Sequence, residues 1–172
     1  MDKHLTYGTM SVPAELAGTA TTWTLCGEAL FKWSVFDVYR VGLFARASGL
    51  SPRGAHGLVF EYLRNIDADT LVASTMQEIQ RIVQPDEAAA ARWQAALQTV
   101  VPAVVRASRL TVVCDPERGA DFHFQGKAIG TIADGAFAEA FLAVWLDPAT
   151  RAPEVRALLL GARGDVAPGP PT

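Results

Sequence analysis

The sequence predicts an α+β fold, and three observations carry that prediction. Residues 25–46, "LCGEALFKWSVFDVYRVGLFAR", are apolar or aromatic at nearly every second position, the period of a strand. From Asp67 the apolar residues recur at helical spacing, and from Ser108 the period of two returns. Strands grouped apart from helices argue for a sheet with a segregated helical layer rather than for alternating βαβ units.

Taken in order, residues 19–26 alternate weakly and read as a first strand, which "CGEAL" turns into a long one over 31–46. A membrane span is excluded for this stretch, because Glu28, Lys32, Asp37, Arg40 and Arg46 interrupt the roughly 20 apolar residues that a spanning helix needs. Phe31, Trp33, Val35, Tyr39, Val41 and Leu43 share one parity. The other parity begins polar and turns apolar, so the second face is expected to be wet at one end and covered further along. "ASGLSPRGAHG" is a loop by its Gly, Ser and Pro content, and "LVFEYLR" is another strand.

Asp67 can cap a helix over 67–83, in which Leu71, Thr75, Ile79, Ile82 and Val83 mark one face. Pro85 suits the first turn of a second helix over 86–101, whose stripe is Ala89, Trp93, Leu97 and Val101, and Pro102 ends it. "RLTVVCD", "ADFHF" and "QGKAIGTI", joined by "DPERG" and a short turn, form an antiparallel meander. Asp134 caps a third helix over 134–146 with Phe137, Phe141, Val144 and Trp145 on one face, and "DPATRAP" leads into a short last helix ending at Gly161. Residues 1–162 are expected to form one domain, and the Pro/Gly-rich residues 163–172 a flexible tail.

The chain has 172 residues, half of them hydrophobic, and a formal charge of -3. No Lys/Arg cluster supplies the basic stripe that phosphate backbones require, so nucleic acid is not an expected partner. The N-terminus lacks the apolar core of a secretory signal, and the chain reads as cytoplasmic. Cys26 and Cys114 each lie in an apolar strand-like run and read as buried thiols. There is no GxSxG, P-loop, GxGxxG, HExxH or CxxC, and no metal-ligand spacing. His123, on a strand between Phe122 and Phe124, reads as a hydrogen-bonded residue rather than a ligand.

The ordered series "LCGEALFKWSVFDVYRVGLFA", "YLRNIDADTL", "LTVVCDPERGADFHFQGKAIGTI", "GAFAEAFLAVWL" and "LLLGA" resembles the chalcone isomerase-like family, in its bacterial branch, from about Leu25 to Ala162. The resemblance implies an open-faced β-sandwich, a large antiparallel sheet covered by helices with a pocket between the two layers. It also implies a choice of functions, since the family holds enzymes that close chalcones to flavanones, non-catalytic relatives and plant fatty-acid-binding proteins.

Enzymatic members use an Arg after a Gly-x-Gly-x-Arg type turn to stabilise the phenolate and the developing enolate, a fixed charge aimed where negative charge grows. Here the turn is Gly27-Glu28-Ala29-Leu30-Phe31, so Phe31 stands in the place of that Arg and Lys32 should point to the opposite face. The strand Thr of the enzymes falls on Tyr39, and their helix Tyr and Asn fall near Leu71 and Glu78. The expectation is therefore a non-catalytic protein without a cofactor that binds an apolar small molecule such as a fatty acid. Its ligand-contacting residues would be Tyr39, Arg64, Phe31 and Leu71. An isomerase or lyase acting on a chalcone-like enone, and a haem-binding protein, stand as alternatives. Each residue also has a plainer reading: Tyr39, Phe31 and Leu71 as core, Arg64 as an ion-pair partner of Asp67 or Asp69.

Overall fold

Six strands follow one another across a single antiparallel sheet in a computed structural model of the chain: β1 (Trp23–Trp33), β2 (Phe36–Arg46), β3 (His56–Tyr62), β4 (Arg109–Asp115), β5 (Gly119–Phe124) and β6 (Lys127–Ile132). The structure describes residues 9–18, 22–46 and 54–161. The expected tail at 163–172, the start of the first expected strand and most of the loop after β2 lie outside these residues. The helices are α1 (Ala14–Ala17), α2 (Ala68–Ile82), α3 (Glu87–Val100), α4 (Gly135–Leu146) and α5 (Pro153–Leu159). The α+β class with an open antiparallel sheet is thus the observed one.

The continuous strand expected over 31–46 is in fact a hairpin. Trp33 pairs with Phe36 across a two-residue turn, Ser34-Val35, in which Ser34 has φ 56°. The alternation disguised this break for a physical reason. Lys32 pairs with Asp37 but Phe31 pairs with Tyr39, so Val38 is an extra residue in β2. A bulge of one residue shifts side-chain parity, and here it puts Phe31 and Tyr39 on the same face although the chain has reversed between them. A second register shift, between Leu25 and Gly27, leaves Cys26 as the extra residue in β1.

Helices α2, α3 and α4 each begin where a carboxylate can satisfy free N–H groups. Asp67 accepts from Thr70 N–H at 2.7 Å, Asp86 from Ala89 N–H at 2.7 Å, and Asp134 from Ala136 N–H at 3.0 Å. Pro85 therefore sits one residue before the cap of α3 rather than in its first turn. Asp134 also accepts from Trp93 Nε1 at 2.9 Å, which locks α3 to the start of α4. Helix α4, "GAFAEAFLAVWL", is apolar nearly all round because it is covered on both sides, by β4 and β5 beneath and by α2 outside. Helix α5 lies on β1, and α3 reaches β6. No described helix is long and apolar enough to cross a membrane.

The opposite face of the sheet is covered by the segment containing α1, which has no period for the sequence to reveal. Leu16 is fully buried against the cluster of Trp23, Phe44 and Val59. Polar ties hold the segment down. Met10 N–H donates to Glu28 Oε2 at 2.8 Å, and the Glu15 carboxylate, 2% exposed, accepts from Thr111 Oγ1 at 2.6 Å and from Arg109 Nε and Nη2 at 3.1 Å each. Burial alone would raise the Glu15 pKa, but these hydrogen bonds to its charged form outweigh it and hold the group below its ordinary value.

Two predictions follow from this packing. A methyl group at Gly27 would overlap the Leu158 carbonyl oxygen and stand 2.7 Å from that of Leu159, both backbone atoms at the end of α5 that cannot rotate away. Gly27→Ala should therefore cost about 2 kcal/mol or more in urea denaturation, through displacement of α5 from β1.

His56 is 6% exposed, its Nδ1 has no hydrogen-bond partner, and burial, partly opposed by the Gly54 backbone, depresses its pKa below the ordinary 6.5. The unfolded chain then takes up a proton at His56 before the folded one does. Stability should fall as pH drops below about 6.5. His56→Gln should flatten that part of the stability–pH curve, while the more acidic limb set by Glu15, Asp67 and Asp134, all with depressed pKa values, should persist.

Candidate functional site

At the helix-facing side of β1, β2 and β3, near the hairpin end, the bulge brings four aromatic groups together. The Phe31 and Tyr39 rings stack at 4.8 Å with 13° between their planes, and Tyr39 meets Phe60 and Tyr62 edge-on at 5.2 and 5.8 Å. Trp145 of α4 lies 5.0 Å from Phe60 and 4.9 Å from Phe141, and its Nε1 donates to the Tyr39 hydroxyl at 2.9 Å. Rings in these offset and edge-on arrangements add attraction beyond their buried area. Sheet and helices meet at this point through aromatic carbon with a few polar atoms set into it.

Those polar atoms are donors. Tyr39 accepts from Trp145, and among the described residues no acceptor takes its own proton; the Tyr62 hydroxyl, on a side chain 4% exposed, likewise has no hydrogen-bond partner among them. Burial pushes the pKa of both phenols well above the ordinary 10, helped at Tyr62 by the neighbouring Tyr39 and opposed at Tyr39 by the Trp145 hydrogen bond. Both are neutral at pH 7 and can present O–H to a carbonyl or carboxyl oxygen.

The four residues singled out in the sequence occupy two different environments. Phe31, Tyr39 and Leu71 are half-buried and pack against the same helix-side core. Arg64 is exposed, two residues after Tyr62, and its guanidinium lies over the Phe36 ring at 4.3 Å from its centre. It forms no ion pair with Asp67 or Asp69 among the described residues. Lys32 pairs with Asp37 at 3.6 Å on the exposed side of the hairpin. Glu78 is engaged by Arg81 at 2.7 Å and Arg151 at 2.6 Å, a tie between α2 and the loop before α5.

The sequence reading missed Tyr62, although it follows Leu58 and Phe60 at the same parity, a signal sufficient to place it beside Tyr39.

Behind the sheet, Arg40 points away from this site and pairs with Glu61 at 2.9 Å and Glu28 at 3.5 Å. A polar cleft of about 250 Å³ opens there, lined by Arg40, Glu61, Tyr62, Leu63, Ala107, Arg109 and Gln125. Its two arginines are already engaged by carboxylates of the chain. No group of three or more His, Cys, Asp or Glu suited to a metal ion occurs among the described residues. Cys114 is fully buried, and desolvation pushes its thiol pKa up, against nucleophilic use.

Comparison with known proteins gives three findings. The family profile described as chalcone isomerase-like matches residues 5–161. A Haemophilus influenzae protein described as uncharacterized is 25% identical over 141 residues, covering 81% of this chain and 68% of its own length. Among solved structures, an Arabidopsis thaliana fatty-acid binding protein superposes with a TM-score of 0.63 at 12% identity, over 81% of this chain and 87% of the other, which shows a shared fold.

The Tyr39 hydroxyl has a structural duty that mutation can expose. Tyr39→Phe should leave the Trp145 N–H without an acceptor and cost about 1–3 kcal/mol of stability, read from chemical denaturation followed by tryptophan fluorescence.

Proposed function

For a chain that belongs to the chalcone isomerase-like family, we propose binding of an apolar small molecule with a carbonyl or carboxyl end, a fatty acid being the leading type, without catalysis. The observation that carries this reading is the pair of neutral phenols, Tyr39 and Tyr62, with unspent donor capacity in an aromatic wall. Ligand sites are mainly apolar with a few placed polar groups, and this arrangement has that composition. The polar end of the ligand would meet the phenols near the hairpin end. Phe31 and Leu71 would supply apolar wall, and Arg64 would stand at the rim to meet an acidic group that stays in water. The fatty-acid-binding role of the Arabidopsis structural neighbour supports the choice of ligand.

Catalysis is unsupported for a reason of charge. Chalcone closure develops negative charge on oxygen, and Phe31 occupies the position where the family's enzymes place a cation. Loss of one such stabilising group costs about 10²- to 10³-fold in rate. Neutral Tyr39 and Tyr62 donate hydrogen bonds but supply no charge.

Purified protein should take up a long-chain fatty acid in a fluorescent-probe displacement assay and should cyclise a hydroxylated chalcone no faster than the spontaneous reaction. Tyr62→Phe should weaken uptake about 5- to 10-fold with little change in stability, since its hydroxyl holds no described partner. Saturable, stereoselective turnover by the wild-type protein would establish the isomerase alternative, and uptake unchanged by Tyr62→Phe would remove the phenols from the site. A gain of weak stereoselective turnover in Phe31→Arg would locate the missing element in the charge alone.

A further inference from the structure

Among the described residues, the ring cluster offers a ligand hydrogen-bond donors and no charge. Tyr39 and Tyr62 stand opposite each other on β2 and β3, their ring centres 5.8 Å apart, and each keeps its O–H for a ligand. The indole of the cluster, Trp145 Nε1–H, is already engaged by the Tyr39 oxygen at 2.9 Å. A hydroxyl whose oxygen accepts such a bond is the stronger donor for it. Two O–H groups match the two lone pairs of a single carbonyl oxygen. An ionised carboxylate has a second oxygen, about four acceptor sites in all, and a charge. The phenols can satisfy only part of that.

The charges of the elements around the rings are turned elsewhere or already matched. On β1 and β2, Lys32 pairs with Asp37 at 3.6 Å on the exposed side of the hairpin, and Arg40 lies behind the sheet with Glu28 and with Glu61 of β3. Arg64, beyond the end of β3, is exposed and covers the Phe36 ring at 4.3 Å. On α2, Asp67 caps the helix, Asp69 is exposed, and Glu78 is engaged by Arg81 at 2.7 Å and Arg151 at 2.6 Å. Glu139 of α4 is exposed, and Arg156 of α5 donates its Nε to the Leu146 carbonyl at 2.7 Å. None of these groups is hydrogen-bonded to either phenol oxygen among the described residues. None moves the pKa of the phenols either, which burial dominates, with Trp145 acting on Tyr39 and Tyr39 on Tyr62.

We propose that the site receives the polar end of its ligand uncharged, as the carbonyl of an ester, ketone or aldehyde or as a carboxylic acid that carries its proton, with Tyr39 and Tyr62 donating to the same oxygen. The inference rests on the apolar-ligand reading and narrows it. A carboxylate entering the rings would leave water for hydrogen bonds without a counter-charge, and a buried unpaired charge is among the costliest groups a protein can hold. It takes up a proton instead, as a carboxyl group in an apolar environment does. An end that stays anionic stays outside the rings, at the exposed rim where Arg64 stands.

Isothermal titration with decanoic acid and its methyl ester tests this, because the two share a chain and differ in whether the end can ionise. At about pH 8 the acid is almost wholly anionic, since such a carboxyl titrates near the Glu value of about 4.3. The ester should then bind the wild-type protein about tenfold or more tightly than the acid. Lowering the pH from about 8 to about 6 should tighten the apparent affinity for the acid about tenfold per unit, with about one proton taken up per molecule bound, as linkage requires. Proton uptake is read by repeating the titration in buffers of differing ionisation enthalpy. Affinity for the ester should stay constant over the same range, which controls for titration of the protein itself, His56 included. Phe31→Arg, which sets a cation against the Tyr39 ring, should admit the anionic acid at about pH 8 and flatten its pH dependence. The proposal is overturned if the wild type binds the acid at about pH 8 as tightly as the ester, or binds it without proton uptake. That result would leave the apolar-ligand reading standing. If neither compound binds at any pH, that reading fails and this inference with it.

Discussion

One extra residue, Val38, decides what the helix-facing side of this sheet can do. With it, Phe31 lies opposite Tyr39, both rings face the helices, and the Tyr39 hydroxyl lies within reach of the Trp145 indole. If the strands paired without this bulge, Val38 would stand opposite Phe31, and Tyr39 would pass to the face that carries Arg40 and its carboxylates. Tyr62, Phe60 and Trp145 would then enclose a gap instead of a phenol. The bulge is thus the point at which a backbone irregularity becomes a chemical property, since it supplies a neutral donor to an otherwise hydrocarbon wall.

That wall has a different electrostatic character from the surface behind it. On the helix-facing side near the hairpin the described aromatic cluster carries the phenols of Tyr39 and Tyr62, and burial favours their neutral form. The other face concentrates arginines and carboxylates, with Arg40 between Glu28 and Glu61 and Arg109 on Glu15. Near the hairpin end the sheet therefore has aromatic packing on one face and ion pairs on the other, while further along the second face is apolar as well. On the binding reading this separation matters because a charged partner on the ligand side would have to be desolvated at considerable cost, whereas phenols offer hydrogen bonds at little cost.

How much of this was legible in the sequence depended on period. The helices were readable because Asp67 and Asp134 cap regular apolar stripes, and the meander from Arg109 to Ile132 because turn residues punctuate it. The family resemblance then supplied an architecture that periodicity alone leaves open. The hairpin at Ser34-Val35 was hidden because its turn lacks turn residues and its bulge restores the alternation that a reversal would otherwise disturb. The segment around α1 was hidden for the opposite reason: four helical residues are too few to show a period, and what holds them down is a long-range contact from Glu15 to Arg109 and Thr111. Of the site, Phe31 and Tyr39 share one core as strand parity suggested, and Leu71, singled out through the family resemblance, packs against the same core, whereas the exposure of Arg64 depends on where β3 ends.

The strict order of the strands has a consequence for how the chain folds. Every strand pairs with its sequence neighbour, so four of the five seams close through short connections, and such local closures are fast. The β3–β4 seam is different, because all of α2 and α3 lies between its two strands. Two three-stranded halves can form independently, β1 to β3 and β4 to β6, and the molecule is completed when the helical segment brings them into register at Phe60 and Leu110. Of the five seams of the sheet, that one alone joins strands far apart in sequence.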